Sequence, residues 1–140
     1  MNNSVVVTIP SHPKYLSVVR DITAGIGKVN GLDDSIIGDI KLAVDEACSN
    51  VIKHAYDGNN DKKITLKYKV TKKSFKVVIE DSGKKADIGS MKGRDLEDIK
   101  PGGLGIHFIK RVFDVFELDE RKKIGNRLIL VKYLILKHKA

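Results

Sequence analysis

Two runs with a two-residue period constrain this chain more than any other feature. ITLKYKV, residues 64–70, alternates apolar with polar side chains, and SFKVVIED, residues 74–81, does so with Phe75, Val77 and Ile79 on one face. Lys72 and Lys73 turn the chain between them, so the pair reads as an antiparallel hairpin that delivers Asp81 at the end of its second strand. Half-buried strands need a cover for their apolar face, and 140 residues suffice for one domain, residues 1–140, built as a sheet with a layer of helices. SVVVTI, residues 4–9, is rich in β-branched side chains and stops at Pro10, as a first strand would. Two more strands close the chain, Val115 to Asp119 and Leu128 to Leu136, joined by a turn around Lys122 to Asn126. The last is apolar on both sides: Ile129, Val131, Tyr133 and Ile135 alternate with Leu128, Leu130, Leu134 and Leu136. Because helices would cover one face only, the other is expected to meet a second subunit or a partner, with a homodimer as the reading adopted.

The helices follow from a different period. Pro13 opens one that runs through about Val29, with Tyr15, Val18, Val19, Ile22 and Ile26 as its buried side and Gly25, Gly27 and Gly31 loosening its end. Asp33 or Asp34 caps the next, which Gly38 weakens by about 1 kcal/mol. This second helix holds the stretch DIKLAVDEACSNVIKHAYDG, 39–58, where Ile36, Ile40, Ala43, Ala47, Val51 and Ala55 recur at three- and four-residue steps and form one buried stripe. Glu46, Asn50 and either Lys53 or His54 stack along one edge beside that stripe, so a carboxylate, an amide and a base share a line. Asp57-Gly58 ends the segment through a left-handed glycine. The single cysteine, Cys48, has no basic cluster beside it and reads as a buried structural thiol.

With 26 Lys and Arg against 18 Asp and Glu, the net charge of +8 invites a nucleic-acid reading, but the distribution opposes it. Lys63, Lys67 and Lys69 alternate with apolar residues as on a strand's solvent face, without interleaved stacking aromatics, and no recognition-helix or zinc-finger motif occurs. An acidic protein partner fits the excess, and no direct nucleic-acid contact is expected. No apolar run approaches the roughly 20 residues of a membrane span, and MNNSVVVTIP lacks the plan of a signal peptide, so a cytoplasmic protein without a membrane partner is expected.

Two glycine segments complete the chemistry. From Ser82 to Gly102 the chain is loop-like, with a short helix expected from Met91 to Ile99, and a helix begins near Leu104 with Ile106, Ile109, Val112 and Phe113 apolar. The glycines of Gly102-Gly103-Leu104-Gly105 let a phosphate approach free backbone N–H groups at that helix start. Asn50 offers an amide oxygen to Mg²⁺, and Asp81 offers an acceptor to an exocyclic amine such as that of adenine. Together these would hold Mg-ATP. No P-loop, dinucleotide-fold glycine pattern or H-E-x-x-H occurs, and His12, His54, His107 and His138 form no Cys/His cluster.

The three segments DEACSNVIKHAY (45–56), Asp81-Ser82-Gly83 and PGGLGIHFIKRVFD (101–114) resemble, in that order, the N box and the two glycine boxes of the GHKL, or Bergerat-fold, ATPase superfamily. Within it the chain is most similar to bacterial anti-sigma-factor serine/threonine kinases of partner-switching systems. The resemblance covers nearly the whole chain. It implies an α+β fold, a two-layer sandwich with a mixed, mainly antiparallel sheet and helices on one face, and a lid formed by residues 84–102. It implies ATP or ADP with Mg²⁺ as cofactors, Glu46 as general base, Asn50 on Mg²⁺, Asp81 on adenine, and Gly83, Gly103, Leu104 and Gly105 around the nucleotide. It also implies a sigma factor as binding partner and a small anti-anti-sigma protein of the STAS type as substrate. A nucleotide-responsive module that captures its partner without kinase activity is the alternative. The chain departs from the family pattern where Lys84-Lys85-Ala86-Asp87 lacks apolar-proline character, and where Arg94 and Lys100 stand for an arginine-rich stretch.

Overall fold

A computed structural model describes residues 3–86 and 103–135. The segment Met91–Ile99, Arg94, Lys100 and Leu136 lie outside the described residues. The alternating runs become β2 (Lys63–Val70) and β3 (Ser74–Asp81), paired antiparallel with Leu66 opposite Ile79 and Tyr68 opposite Val77. β1 (Val5–Pro10) adds to β2, β5 (Asn126–Tyr133) adds to β3, and β4 (Val115–Leu118) edges β5, giving the order β1-β2-β3-β5-β4. The α+β sandwich expected from the sequence forms. Among the described residues every pairing is antiparallel, so the sheet is not the mixed one expected, because the strands that run the same way, β1 with β3 and β3 with β4, are each separated by one of opposite direction.

Parity decides which side of the sheet is core. Ile64, Leu66, Tyr68, Phe75, Val77, Ile79, Leu128 and Leu130 point to one face and are buried there. They pack with Ile40, Ala43, Val44, Ala47 and Cys48 of α2 (Asp34–Asn50). α2 is the central helix, flanked by α1 (Leu16–Val29) and α3 (Gly103–Val112). That flanking explains why its buried surface is wider than one stripe and takes in Ile37, Val44 and Cys48 as well. Burial pushes the Cys48 thiol up to about 12, with Asp45's charge adding to it, so the thiol stays protonated and structural.

Details of the helices settle the alternatives left by the sequence. Asp33 is the cap of α2, accepting a hydrogen bond from Ile36 N at 3.0 Å. Pro13–Tyr15 form a short 3₁₀ turn before α1, and in the resulting phase Val19 and Thr23 face the core while Val18 is exposed, contrary to its expected burial. Gly27 does not loosen the helix end. A Cβ there would lie 2.8 Å from Ile37 Cγ1, so its absence lets α1 close on α2, and Gly31 (φ +78°) makes the stop. Thr23 Oγ1 donates to Val19 O (2.7 Å) and meets the Tyr68 hydroxyl at 2.8 Å, which satisfies a polar pair inside the core.

The opposite sheet face carries a chain of charges across three strands, β2, β3 and β5, and the turn that follows β4. Lys67 reaches Glu80 at 2.9 Å, Arg127 reaches Glu80 at 2.6 Å and Asp119 at 3.5 Å, and Arg121 reaches Asp119 at 2.9 Å. Burial works against an ionised Glu80, but the hydrogen bonds from Lys67 and Arg127 hold its carboxyl below the ordinary range. The hydrogen bond from Arg121 likewise depresses Asp119. Beside this ladder lie half-buried Val78, Ile129 and Val131 and exposed Val6 and Tyr133, so β5 does present apolar side chains to both faces.

Candidate functional site

Glu46 and Asn50 sit one turn apart near the end of α2. Regular α-helix stops at Asn50, and Val51–Ala55 form a π-turn in which Tyr56 N donates to Val51 O at 3.0 Å, five residues back. Asp57 (φ +49°) and Gly58 (φ +79°) then end it in the left-handed region. The wider turn breaks the helical phase, and Lys53 and His54 within it are exposed. The line of carboxylate, amide and base read from the sequence therefore keeps its first two members in helical register and not its third. Asn50 Oδ1 is buried and has no hydrogen-bond partner, alone among the side-chain polar atoms of the described residues. Such an atom costs about 1–3 kcal/mol unless something occupies it.

Gly103, Leu104 and Gly105 form the first turn of α3, where backbone N–H groups have no helical acceptor. A Cβ on Gly105 would stand 2.5 Å from Glu46 Oε2 and 2.6 Å from its Cδ, so the glycine is what lets the helix start lie against the carboxylate. The structure thus brings together the helix edge and the second glycine segment, which are 59 residues apart by number (105 − 46).

The Asp81-Ser82-Gly83 turn is clamped from two sides. Lys84 N donates to Ala55 O at 2.8 Å, and a Cβ on Gly83 would lie 2.7 Å from the Ala55 carbonyl carbon and 2.9 Å from Tyr56 Cδ1. The Tyr56 hydroxyl accepts from Ser82 N (2.8 Å) and donates to Lys63 O (2.5 Å), tying the π-turn to the ends of β2 and β3. On the other side stands Asn126, a residue that the sequence pattern alone does not single out. It is the direct partner of Asp81 across β3 and β5, and its Nδ2 lies 3.0 and 3.2 Å from the two Asp81 carboxylate oxygens. Its position next to the left-handed Gly125 at the start of the last strand is the one signal that could have pointed to it. Asp81 is 4% exposed, and burial raises its pKa; hydrogen bonds from Gly83 N and Asn126 and the charge of Lys122 act in the opposite sense.

A sequence profile described as the histidine kinase-like ATPase domain matches residues 9–132. The chain belongs to that family. Among relatives of this histidine kinase-like ATPase, the serine-protein kinase RsbW of Listeria monocytogenes serotype 4a is 31% identical over 96% of this chain and 89% of its own length. The protein of the same name from Halalkalibacterium halodurans is 30% identical over 94% and 83%, and that of Bacillus subtilis 26% over 90% and 82%. A solved structure of the RsbU and RsbW domains of Rv1364c from Mycobacterium tuberculosis shares the fold at a TM-score of 0.67 and 15% identity, covering 94% of this chain. This chain corresponds to 32% of that longer one. Membership in the family implies nucleotide binding. No helix among the described residues is long and apolar enough to cross a membrane.

Proposed function

We propose that this histidine kinase-like ATPase is a serine/threonine protein kinase that transfers phosphate from Mg-ATP to a small anti-anti-sigma protein of the STAS type, and that it binds and holds a sigma factor. The observation that carries the reading is the buried, unpartnered Asn50 Oδ1 one helical turn from Glu46, itself seated against Gly105 at the start of α3. An amide oxygen is the hard donor Mg²⁺ takes, and the ion commonly keeps several waters and substrate phosphates as its other ligands, so one protein ligand suffices. The described residues hold no cluster of three or more His, Cys, Asp or Glu that would build an all-protein cage. When bound, Mg²⁺ supplies charge neutralisation on the phosphates.

In this reading the free N–H groups of Gly103, Leu104 and Gly105 hold phosphate oxygens, Gly83 lets the backbone approach the nucleotide, and Asp81 accepts from the adenine amine. Glu46 takes the proton of the incoming serine hydroxyl as its oxygen attacks the γ-phosphorus and the bond to the β-phosphate oxygen breaks, leaving ADP. The partner-switching assignment draws on the serine-protein kinase activity for which the relatives are named and on the net charge of +8, which suits acidic partners. The protein works in the cytoplasm as a homodimer, with the apolar patch around Ile129 and Val131 on the uncovered sheet face as the natural contact.

The test is transfer of labelled phosphate from Mg-ATP to a cognate antagonist. Glu46→Gln should lower the rate by about 10²–10⁴-fold with nucleotide affinity retained, and Asn50→Ala should remove the magnesium dependence of binding. Binding of ATP with no transfer to any antagonist would leave the capture module in place of the kinase, and failure to bind ATP would end both.

A further inference from the structure

Three pairs of adjacent lysines leave the sheet at one end. Thr65 lies opposite Glu80 and Asp81 opposite Asn126, so the start of β2, the end of β3 and the start of β5 share one edge of the fold. Lys62-Lys63 stand at the first, Lys84-Lys85 follow the second, and Lys122-Lys123 lie in the turn that precedes the third. Lys85 Nζ donates to Lys122 O, which joins two of the pairs. Lys62, Lys63 and Lys84 line an open cavity of about 640 Å³ together with Asp57, Asp61 and Tyr56.

These charges are not spent inside the protein. Among the described residues none of the six ammonium groups forms an ion pair, whereas on the outer sheet face Lys67 is held by Glu80 at 2.9 Å. Like charges gathered without counterparts repel one another, and an anionic partner relieves the repulsion. Neighbouring strands lie about 4.8 Å apart, so the three pairs span about 10 Å, the reach of three residues of extended chain at about 3.3 Å each. Two features favour a protein over a nucleic acid. Asp57 and Asp61 stand in the cavity and oppose an unbroken line of phosphates, whereas a peptide can set an uncharged residue or a backbone N–H against them. Tyr56 is 7% exposed with its hydroxyl bonded to Ser82 N and Lys63 O, so it offers no face for stacking a base. Ile124, 74% exposed in the same turn as Lys122 and Lys123, adds the apolar contact that protein interfaces use.

We propose that this lysine-lined end of the sheet docks an acidic, extended segment of a protein partner, whose carboxylates meet the Lys62-Lys63, Lys84-Lys85 and Lys122-Lys123 pairs in turn. Capture there needs neither a nucleotide nor phosphate transfer, so the inference stands or falls separately from the kinase reading. The lysine pair Lys72-Lys73 supplies an internal comparison. It is exposed in the turn between β2 and β3, at the opposite end of the same sheet.

The test is fluorescence anisotropy of a labelled oligoglutamate peptide, with an oligothymidylate of equal charge as the second probe. The proteins are the wild-type chain, the double variants Lys84→Gln/Lys85→Gln and Lys122→Gln/Lys123→Gln, and the control Lys72→Gln/Lys73→Gln. All three variants lose the same charge. Each of the first two should weaken peptide binding about fivefold, as the loss of two exposed ion pairs would, and the control should change it less than about twofold. Equal losses in all three variants would mean attraction by net charge alone and overturn the proposal. So would wild-type protein that does not bind the peptide, or site variants that bind it as wild type does. Oligothymidylate held more tightly than the peptide, and weakened by the same two variants, would make the surface one for nucleic acid and overturn the protein partner.

Discussion

Gly125 and Gly58 share a backbone conformation and differ in what surrounds it, so replacing each by alanine separates steric closure from conformational strain. Both are left-handed, at φ +75° and φ +79°. A Cβ on residue 58 would find nothing within 4 Å, whereas at Gly125 it would meet Ser82 Cα at 2.6 Å and the Asp81 carbonyl carbon at 2.7 Å. The left-handed conformation costs an L-residue about 1–2 kcal/mol, offset by about 0.4–1 kcal/mol from the reduced freedom of the unfolded chain, so Gly58→Ala should cost about 1 kcal/mol. At Gly125 the neighbours are backbone atoms that cannot swing aside, so the turn before β5 must lift from the end of β3. Lifting it breaks the Asn126 contact to a carboxylate, worth about 1.5–3 kcal/mol, and brings the total to about 3 kcal/mol. Urea unfolding at fixed pH measures both variants, read from the midpoints at an unchanged slope. Gly38→Ala, inside α2 with open space where the new methyl would stand, is the control of opposite sign and should stabilise by about 0.5–1 kcal/mol. A Gly125→Ala protein within about 0.5 kcal/mol of Gly58→Ala would refute the claim that the turn is closed against β3.

The buried Thr23–Tyr68 pair should respond unequally to truncation. The one proton of Thr23 goes to Val19 O, so Tyr68 donates to Thr23. Tyr68→Phe removes a donor and leaves Thr23 bonded, costing about 1 kcal/mol, while Thr23→Val strands the tyrosine hydroxyl and should cost about 2 kcal/mol in the same unfolding assay. Acid stability should follow the outer ladder. Glu80 and Asp119 have lowered folded-state pKa values, so their contribution is present above the unfolded carboxylate range, near pH 4, and is lost as pH falls through the folded values. Asp81, whose folded pKa is raised, has the opposite sign: it costs stability at neutral pH and returns it on protonation. Melting temperature should therefore fall below pH 4, and Glu80→Gln should flatten that fall.

Periodicity carried the fold because each strand has one buried face, and the two-residue alternation of Ile64, Leu66 and Tyr68 against Phe75, Val77 and Ile79 leaves a single register that buries all six. The polar helix edge was legible for the same reason, since Glu46 and Asn50 lie in regular helix. Legibility ends where the period itself changes. A π-turn has no sequence period to read, so the phase of Lys53 and His54 could not be foreseen, and the 3₁₀ turn at Pro13–Tyr15 shifted Val18 outward in the same way. Asn126 escaped because its role comes from a partner 45 residues earlier, and a cross-strand partner is set by pairing register, which no local pattern encodes. Gly27 was misleading for a related reason: a glycine near a helix end looks like a terminator until the neighbouring helix is in place.

The pairing of β3 with β5 also bears on when the protein becomes competent. The β2–β3 hairpin joins neighbours in sequence, but the stitch between Asp81 and Asn126 closes a long detour of chain, and such distant closures form slowly and late. A polypeptide emerging from the ribosome would own its hairpin and central helix well before β5 could close onto β3. A ligand that occupies only the finished form then acts as a latch: at one hundred times its dissociation constant it deepens the native well by about 2.7 kcal/mol. Resistance of the molecule to unfolding should accordingly rise with nucleotide concentration.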